Sequence, residues 1–164
     1  MNVSDLLRRP GSTREVHLEV PLTGLENLSS RVDADQPLIL DLRLESLTAA
    51  IVASGRVRGR WSAVCSRCLV PLEQGFDLKL REVFEEDPIE DETYPLRNDE
   101  IDLEQPVRDL VVPDLPIVPL CDPDCLGLCP TCGVNRNEDP CECRSESSDP
   151  RWDALRAFEL PGEN

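Results

Sequence analysis

Eight cysteines are the residues of this chain whose type and spacing can do chemistry. They form four doublets, each with its two sulfurs two to four positions apart. In chain order the doublets are Cys65 and Cys68, Cys121 and Cys125, Cys129 and Cys132, and Cys141 and Cys143. One tight turn can present both sulfurs of a doublet to a single ion, and four thiolates complete the tetrahedral coordination of Zn²⁺. The sequence therefore predicts two structural zinc sites with four cysteine ligands each.

The spacing also suggests how the doublets combine. The third doublet lies in Cys129–Gly133, which is typical of a zinc knuckle because the glycine lets the backbone curl toward the ion. The fourth doublet follows closely and can complete a local site. The first and second doublets then form a long-range site that clamps the end of a sheet to a later segment. The spacing alone leaves other pairings of the doublets open.

Other uses of cysteine fit the sequence less well. Disulfides need an oxidising compartment, and residues 1–9 contain no apolar stretch long enough for a signal peptide. Thioredoxin-type chemistry needs its C-x-x-C at the start of a helix, whereas the first doublet follows strand-like sequence. The spacing of Cys125, Cys129 and Cys132 matches that of radical S-adenosylmethionine enzymes, but 164 residues cannot supply the barrel around such a cluster.

Length and charge limit the partners. A chain of 164 residues can bury one core, and it has no apolar run near the 18 residues that would indicate a membrane span. The formal net charge is −16, and about −20 with eight thiolates around two Zn²⁺ ions. So acidic a chain repels a phosphate backbone, which favours basic proteins as partners. We expect a cytoplasmic bacterial protein with no membrane contact and no small-molecule substrate.

The charge is unevenly distributed along the chain. No acidic residue lies between Glu45 and Glu73, whereas the stretch from Glu82 to Glu104 holds eleven acidic residues and one arginine. The arginines of the first stretch are Arg56, Arg58, Arg60 and Arg67. The first three alternate, so on a strand they share one face. That face is either an ordinary solvated sheet surface, with arginines paired to carboxylates, or a cationic patch that contacts RNA.

Alternating apolar and polar residues predict the fold. The alternating segments are Thr13–Val20, Leu38–Glu45, Ile51–Trp61 and Phe76–Val83. Consecutive strands of this kind indicate an α+β fold built on an antiparallel β-meander or small barrel-like sheet. Apolar spacing from Asp102 to about Val112 predicts a short helix that Pro113 ends.

The same pattern divides the chain into four parts. We predict a flexible leader over residues 1–12, a sheet domain over 13–120 with an acidic loop (82–104) and the short helix, a zinc-binding Cys-rich segment over 121–144, and a linker with a short docking helix over 145–164.

The ordered set of motifs resembles the YceD family. The motifs are Cys65–Leu69, Leu115–Cys121, Cys125–Gly133, Cys141–Cys143 and Asp149–Arg151. Members of this family are bacterial and plastid proteins associated with accumulation of large-subunit ribosomal RNA. The resemblance implies a non-enzymatic factor for processing or accumulation of that RNA and for ribosome assembly. It implies a ribosomal protein or pre-ribosomal particle as partner, leaves direct RNA contact open, and supplies no catalytic residues.

Two alternatives belong to other functional classes. A nuclease or other hydrolase would need a general base or an open metal site. His17 is the only histidine, and four thiolates leave no coordination position for water. A zinc- or redox-responsive binding module is the second alternative, because all-thiolate sites can release metal on oxidation, and it rests on the cysteines alone.

Overall fold

A computed structural model describes residues 1–143, which form a β-sheet with two short helices. The elements are α1 (Ser4–Leu7), β1 (Thr13–Val20), β2 (Ser30–Arg31), β3 (Leu38–Ser46), β4 (Ala50–Val64), β5 (Pro71–Glu85), β6 (Tyr94–Arg97), β7 (Glu100–Ile101) and α2 (Glu104–Asp114). The four predicted strands are present and extend by up to five residues at an end. The predicted docking helix falls in residues 145–164, outside the described part.

The sheet is mixed and curls into a half-barrel. The strand order is β1-β3-β4-β5-β6-β7, and β2 pairs with the far end of β4. Every pairing is antiparallel except that of β5 with β6, which runs parallel where Phe84 meets Tyr94 and Glu85 meets Pro95. The predicted antiparallel meander therefore holds for the four long strands only, and the parallel pair makes the sheet mixed.

One face of the curled sheet forms the core. Side chains alternate across a strand, so the apolar residues of β3, β4 and β5 all reach the same side. The buried side chains of this face are Leu38, Leu40, Leu42, Leu44, Ile51, Ala53, Val57, Leu80 and Phe84. Val107 and Val111 of α2 are also fully buried and join the same cluster. The helix thus covers the inner face. Most charged residues of the strands remain outside, but Glu82 lies in step with Leu80 and Phe84 and is partly buried near Asp109 of α2.

The hairpin of β4 and β5 is the longest feature of the sheet. Fifteen pairs run without a break from Ala50 opposite Glu85 to Val64 opposite Pro71. At about 3.3 Å per residue the hairpin is about 50 Å long. Its turn, which contains the first cysteine doublet, therefore lies far from the pairing of β5 with β6.

The N-terminal segment differs from the flexible leader predicted for residues 1–12. It contains α1, and the side chains of Val3 and Leu6 are buried in the main core. The amino group of Met1 donates to the carbonyl of Ile101 (2.7 Å), and the N–H of Val3 donates to the carbonyl of Asp99 (2.8 Å). Two apolar side chains in a short segment are enough to hold it on the sheet.

The acidic loop predicted for residues 82–104 contains more structure than its composition indicates. It begins within β5, includes the small hairpin of β6 and β7, and ends at the start of α2. Leu96 and Ile101 anchor it because both are buried. The helix begins two residues later than predicted and continues through Pro113. Within residues 1–143, no helix is long and apolar enough to cross a membrane.

Gly55 is required where β4 pairs with β3, opposite Leu42. A Cβ at this position would lie 2.0 Å from the carbonyl oxygen of Asp41 and 2.8 Å from the Cα of Leu42. Both are backbone atoms, which cannot move aside as a flexible side chain could. The close approach of the β3 and β4 backbones at this point therefore depends on the missing side chain.

We predict that Gly55→Ala lowers the free energy of unfolding by about 3 kcal/mol, the upper part of the range for overpacking. Gly75→Ala is the matched control, because its nearest neighbour, the carbonyl oxygen of Gly59, would lie at an ordinary 3.7 Å. The measurement is urea unfolding in excess Zn²⁺, monitored by circular dichroism. Equal losses in the two variants would contradict the close approach at Gly55.

Candidate metal centre

The first cysteine doublet forms the turn of the β4–β5 hairpin. The N–H of Cys65 donates to the carbonyl of Val70 (2.8 Å), and the N–H of Leu69 donates to the carbonyl of Cys65 (2.9 Å). Leu69 has φ 60°, a left-handed conformation that costs a residue with a Cβ about 1–2 kcal/mol. The turn places the sulfurs of Cys65 and Cys68 on one side, and the N–H of Arg67 approaches the Cys65 sulfur at 3.5 Å.

The second doublet reaches the first through the extended segment that follows α2. The hydroxyl of Ser30 donates to the carbonyl of Pro116 (2.6 Å), which fixes the start of this segment against β2. The N–H of Ser66 donates to the carbonyl of Pro119 (2.8 Å), which joins the segment to the hairpin turn. Because the second doublet begins two residues after Pro119, these contacts bring it to the end of the hairpin.

Together the two doublets form a compact cluster, here the first cluster. The sulfurs of Cys65 and Cys125 lie 3.8 Å apart, those of Cys68 and Cys121 3.5 Å apart, and all four fall within 4.8 Å of one another. Four sulfurs about 2.3 Å from a tetrahedral ion would be separated by about 3.8 Å. Cys121 is exposed and the other three are buried. The first cluster can therefore hold a metal ion.

The third and fourth doublets form a second cluster, with the sulfurs of Cys129, Cys132, Cys141 and Cys143 also within 4.8 Å of one another. Its four ligands span only fifteen positions of the chain. Cys132 and Cys143 are exposed, whereas Cys129 is buried. The second cluster is thus local in sequence and more open to solvent than the first.

The turn of the second cluster repeats the hydrogen bonds of the first. The N–H of Cys129 donates to the carbonyl of Val134 (2.8 Å), and the N–H of Gly133 donates to the carbonyl of Cys129 (2.9 Å). Gly133 has φ 76°, which glycine adopts without steric cost, where the first turn has Leu69. Two turns with the same pair of hydrogen bonds and the same left-handed residue position are therefore present, and glycine occurs in one of them.

Electrostatics in the first cluster favour thiolates at some positions and thiols at others. Burial acts to raise the pKa of Cys65, but backbone N–H donors at Cys68, Cys121 and Arg67 outweigh it and lower this pKa to about 6. The neighbouring sulfurs, that of Cys125 above all, raise the pKa of Cys121 to about 12. Without a cation the four groups cannot all lose their protons.

The second cluster shows the same division. Backbone N–H groups of Cys132 and Thr131 lower the pKa of Cys129 to about 6, whereas the adjacent Cys132 sulfur raises the pKa of Cys143 to about 12. A divalent cation would relieve the repulsion among four thiolates. The donor set and spacing of both clusters therefore fit a soft divalent ion such as zinc.

The structure brings together the same two sets of four cysteines that the spacing favours, rather than any other combination of the doublets. The sequence reasoning missed Asn137, whose side-chain amide lies 3.2 Å from the sulfur of Cys125. Asn137 lies between the third and fourth doublets, and no spacing rule identifies an outer donor of this kind.

Three of the arginines predicted as an RNA contact share the outer face of the sheet. Ion pairs join Arg56 to Asp77, Arg58 to Asp41 and Arg60 to Glu73. All these side chains are about half-exposed, so water screens each pair and its contribution to stability is small. The arrangement matches the solvated-face alternative, in which carboxylates offset the arginines.

Arg67 lies apart from that face. Its guanidinium donates to the carbonyls of Pro123 (3.1 Å) and Cys125 (2.9 Å). Both bonds tie the first doublet to the second. The guanidinium is therefore used to assemble the first cluster.

Two more basic residues belong to the outer face. Lys79 stands opposite Arg56, and Arg81 stands opposite Ser54. No ion pair involves either side chain within residues 1–143. The alternation of β5 could have indicated their face, but only the register with β4 places them beside Arg56.

The fold and the two clusters define a class, a curled sheet whose longest hairpin ends in a four-cysteine cluster with a second cluster attached. The family model described as "Large ribosomal RNA subunit accumulation protein YceD" matches residues 53–159, a span that includes all eight cysteines. The chain belongs to the YceD family.

Relatives of this chain occur in bacteria and plants. An uncharacterized protein of Mycobacterium tuberculosis is 38% identical over 165 residues, covering 94% of this chain and 78% of the relative. One from Mycobacterium leprae is 30% identical over 170 residues, covering 98% and 77%. A maize protein is named large ribosomal RNA subunit accumulation protein YCED homolog 1, chloroplastic, and is 25% identical over 138 residues, covering 63% and 44%. No solved structure gives a significant match.

We predict that Cys68→Ser destabilises the sheet more than Cys132→Ser does. The sulfur of Cys68 lies 3.5 Å from that of Cys121, 53 residues away, and a metal cross-link over such a loop would stabilise the folded state by about 4 kcal/mol through the lost entropy of the unfolded chain. Cys132 belongs to the local cluster, whose loss leaves the hairpin closed. The measurement is the urea midpoint of the sheet signal in excess Zn²⁺. A larger loss in Cys132→Ser would contradict the assignment of the long-range clamp.

Proposed function

We propose that this protein is a non-enzymatic factor that supports the accumulation of large-subunit ribosomal RNA by binding a basic protein of the large subunit. The observation that carries the proposal is membership in a family described as a large ribosomal RNA subunit accumulation protein. The maize relative bears the same description in its name. The partner and mechanism are argued below from charge and shape.

Several features support a role without catalysis. Each cluster offers four sulfurs to one ion, which fills a tetrahedral site and leaves no position for a reacting water. His17 lies on the exposed sheet face, where its Nδ1 is 2.6 Å from a carboxylate oxygen of Asp41. This pair sits on an open strand surface instead of in a cleft. A hydrolase is therefore the weaker proposal.

Zinc is the ion we propose for both clusters. All-sulfur donor sets with tetrahedral spacing are typical of structural zinc. In the first cluster the ion would hold the hairpin turn against the segment after α2, and in the second it would close the local loop. We therefore propose that zinc acts as a mechanical support for a binding surface.

The presence of an acidic cleft supports the proposal that the partner is basic. Its lining joins carboxylates to apolar side chains. The lining residues are Leu7, Thr48, Ala49, Glu85, Glu86, Asp87, Leu96 and Asp99. Lysine and arginine side chains match such a lining, because their stems pack on apolar atoms while the charged group meets carboxylates.

The volume of this acidic cleft is about 470 Å³. The acidic cleft is open at the surface, so a side chain of a folded partner can enter it. Its four carboxylates and four smaller or apolar residues fit a basic side chain on size and charge.

Direct contact with RNA is the second route. The outer face offers Lys79 and Arg81 in addition to the paired arginines, but Asp41 and Asp77 stand among them. A net charge of −16 opposes the approach of a phosphate backbone. We therefore favour the protein partner, and the RNA route becomes an outcome of the test below.

We predict that the purified protein carries close to two zinc ions per chain. Cys129→Ser is expected to remove about one ion and leave the sheet folded, because the long-range clamp is untouched. The measurement is elemental analysis of protein purified without added metal, with circular dichroism as the check on folding. Protein without zinc, or with iron and visible absorption, would refute the zinc assignment.

We predict that neutralising the acidic cleft abolishes binding to a basic large-subunit protein. The variant combines Glu85→Gln, Glu86→Gln, Asp87→Asn and Asp99→Asn. Binding is measured by retention of proteins extracted from washed large ribosomal subunits, identified by mass spectrometry, and raised salt should mimic the loss. The charge-matched control combines Glu19→Gln, Glu26→Gln, Asp35→Asn and Glu45→Gln, all exposed residues outside the cleft.

A third variant separates the two routes. Replacing Arg56, Arg58 and Arg60 by alanine should leave recovery of the basic protein unchanged. Its control replaces the exposed Arg8, Arg9 and Arg97. All variants are first compared for thermal stability. Retention of ribosomal RNA by each variant is measured in the same way as retention of proteins. If RNA retention is lost in the Arg56, Arg58 and Arg60 variant alone, and the cleft variant retains the basic protein, the protein route is overturned in favour of RNA contact.

A further inference from the structure

The two clusters share a short piece of chain. Cys125 is a member of the first cluster and Cys129 a member of the second, so only three residues separate the two sets of sulfurs. Between them Gly127 has φ 72°, and a Cβ there would lie 3.1 Å from the carbonyl oxygen of Arg67. The N–H of Leu128 donates to that same carbonyl (3.0 Å). The connecting segment is therefore packed tightly against the hairpin turn.

Asn137 forms a second connection. Its side-chain Nδ2 donates to the sulfur of Cys125 (3.2 Å), and its Oδ1 accepts the N–H of Leu126 (2.8 Å). One amide thus contacts both a sulfur of the first cluster and the backbone beside it. Asn137 itself lies in the loop between Cys132 and Cys141, two sulfurs of the second cluster.

The loop holds Asn137 in one orientation. Its Nδ2 also donates to the Oδ1 of Asn135 (2.8 Å), and its backbone N–H donates to the same oxygen (3.2 Å). The N–H of Arg136 donates to the carbonyl of Gly127 (2.9 Å). A metal ion in the second cluster would close this loop at both ends and so keep the amide beside Cys125.

We propose that Asn137 is an outer positioning residue of the first metal site, and that metal in the second cluster strengthens metal binding in the first through it. The inference rests on the proposed occupancy of both clusters by zinc. Four thiolates around one divalent ion carry excess negative charge, and an amide donor to one sulfur stabilises that charge. An empty second cluster leaves the loop open, and the donor is lost.

Although the coupling is reciprocal, we expect the two clusters to lose their ions in a fixed order. By linkage each ion strengthens the binding of the other by the same factor. The second cluster has two exposed cysteines and the first has three buried ones, so a chelator or oxidant reaches the second cluster first. Loss of its ion then weakens the ion of the first cluster. The protein would release metal in two linked steps.

The test is a double-mutant cycle on the zinc affinity of the first cluster. Affinity is measured by competition with a chromophoric chelator, and Co²⁺ absorption reports thiolate coordination. We expect Asn137→Ala to weaken binding by about 10- to 100-fold, the range for lost outer donors. Cys132→Ser with Cys141→Ser, which removes the second site, should weaken it similarly. Combining the three changes should add nothing.

Two further variants separate donation from support of the loop. Asn137→Asp keeps the oxygen that accepts the Leu126 N–H but replaces the donor with a carboxylate, so it should weaken binding at least as much as Asn137→Ala. Asp139→Asn is the control, a nearby exposed residue whose only described hydrogen bond is through its backbone N–H.

Several outcomes would overturn the inference. Wild-type affinity in Asn137→Asp would show that donation to the sulfur has no role. An undiminished effect of Asn137→Ala when the second site is already removed would show that Asn137 acts without coupling. Zinc content is measured first, so absence of zinc from the wild-type protein would refute the metal assignment itself and with it the coupling, separately from any failure of the cycle.

Discussion

The far end of the β4–β5 hairpin is the constraint on which the rest of the structure depends. A hairpin of fifteen pairs extends beyond the main core, whose buried side chains on these strands end near Val57 and Leu80. A second small core lies at the turn, formed by Cys65, Cys68 and Cys125 with nearby apolar residues. At this end of the hairpin cysteine side chains form the buried core, as leucine side chains do in the half-barrel. The segment after α2 is fixed by the same contacts.

Sequence reasoning succeeded where a pattern is long and failed where it is short. Alternation over eight or more residues identified β1, β3, β4 and β5, and the spacing of the doublets gave the two clusters. By contrast β2 and β7 have two residues each, too few for any period. The structure of residues 1–12 depends on burial of Val3 and Leu6 against distant strands. Asn137 was not predicted, because a residue that donates a hydrogen bond to a cysteine sulfur can be recognised only in the folded structure.

The arginines show the same limit for electrostatics. Their shared face was predictable from alternation, but their partners depend on the register between strands. A shift of one residue would turn Asp77 away from Arg56 and change the charge of the whole surface. Composition therefore indicated a basic stretch, whereas the folded face is nearly balanced. The acidic cleft is an intermediate case, because its carboxylates all come from the acidic stretch 82–104, whereas Leu7, Thr48 and Ala49 of its lining come from distant parts of the chain.

The distance in sequence between the halves of the first cluster has a consequence for biosynthesis. Cys68 and Cys121 are 53 residues apart. At about 5–20 residues per second, the second half leaves the ribosome about 3–10 s after the first. Once β5 has also emerged, the complete hairpin ends in two thiols that lack their partners for the rest of that interval. Newly made chains thus pass through a stage in which the sheet can form while its metal site is still incomplete, and the site can close only after Cys121 and Cys125 have emerged.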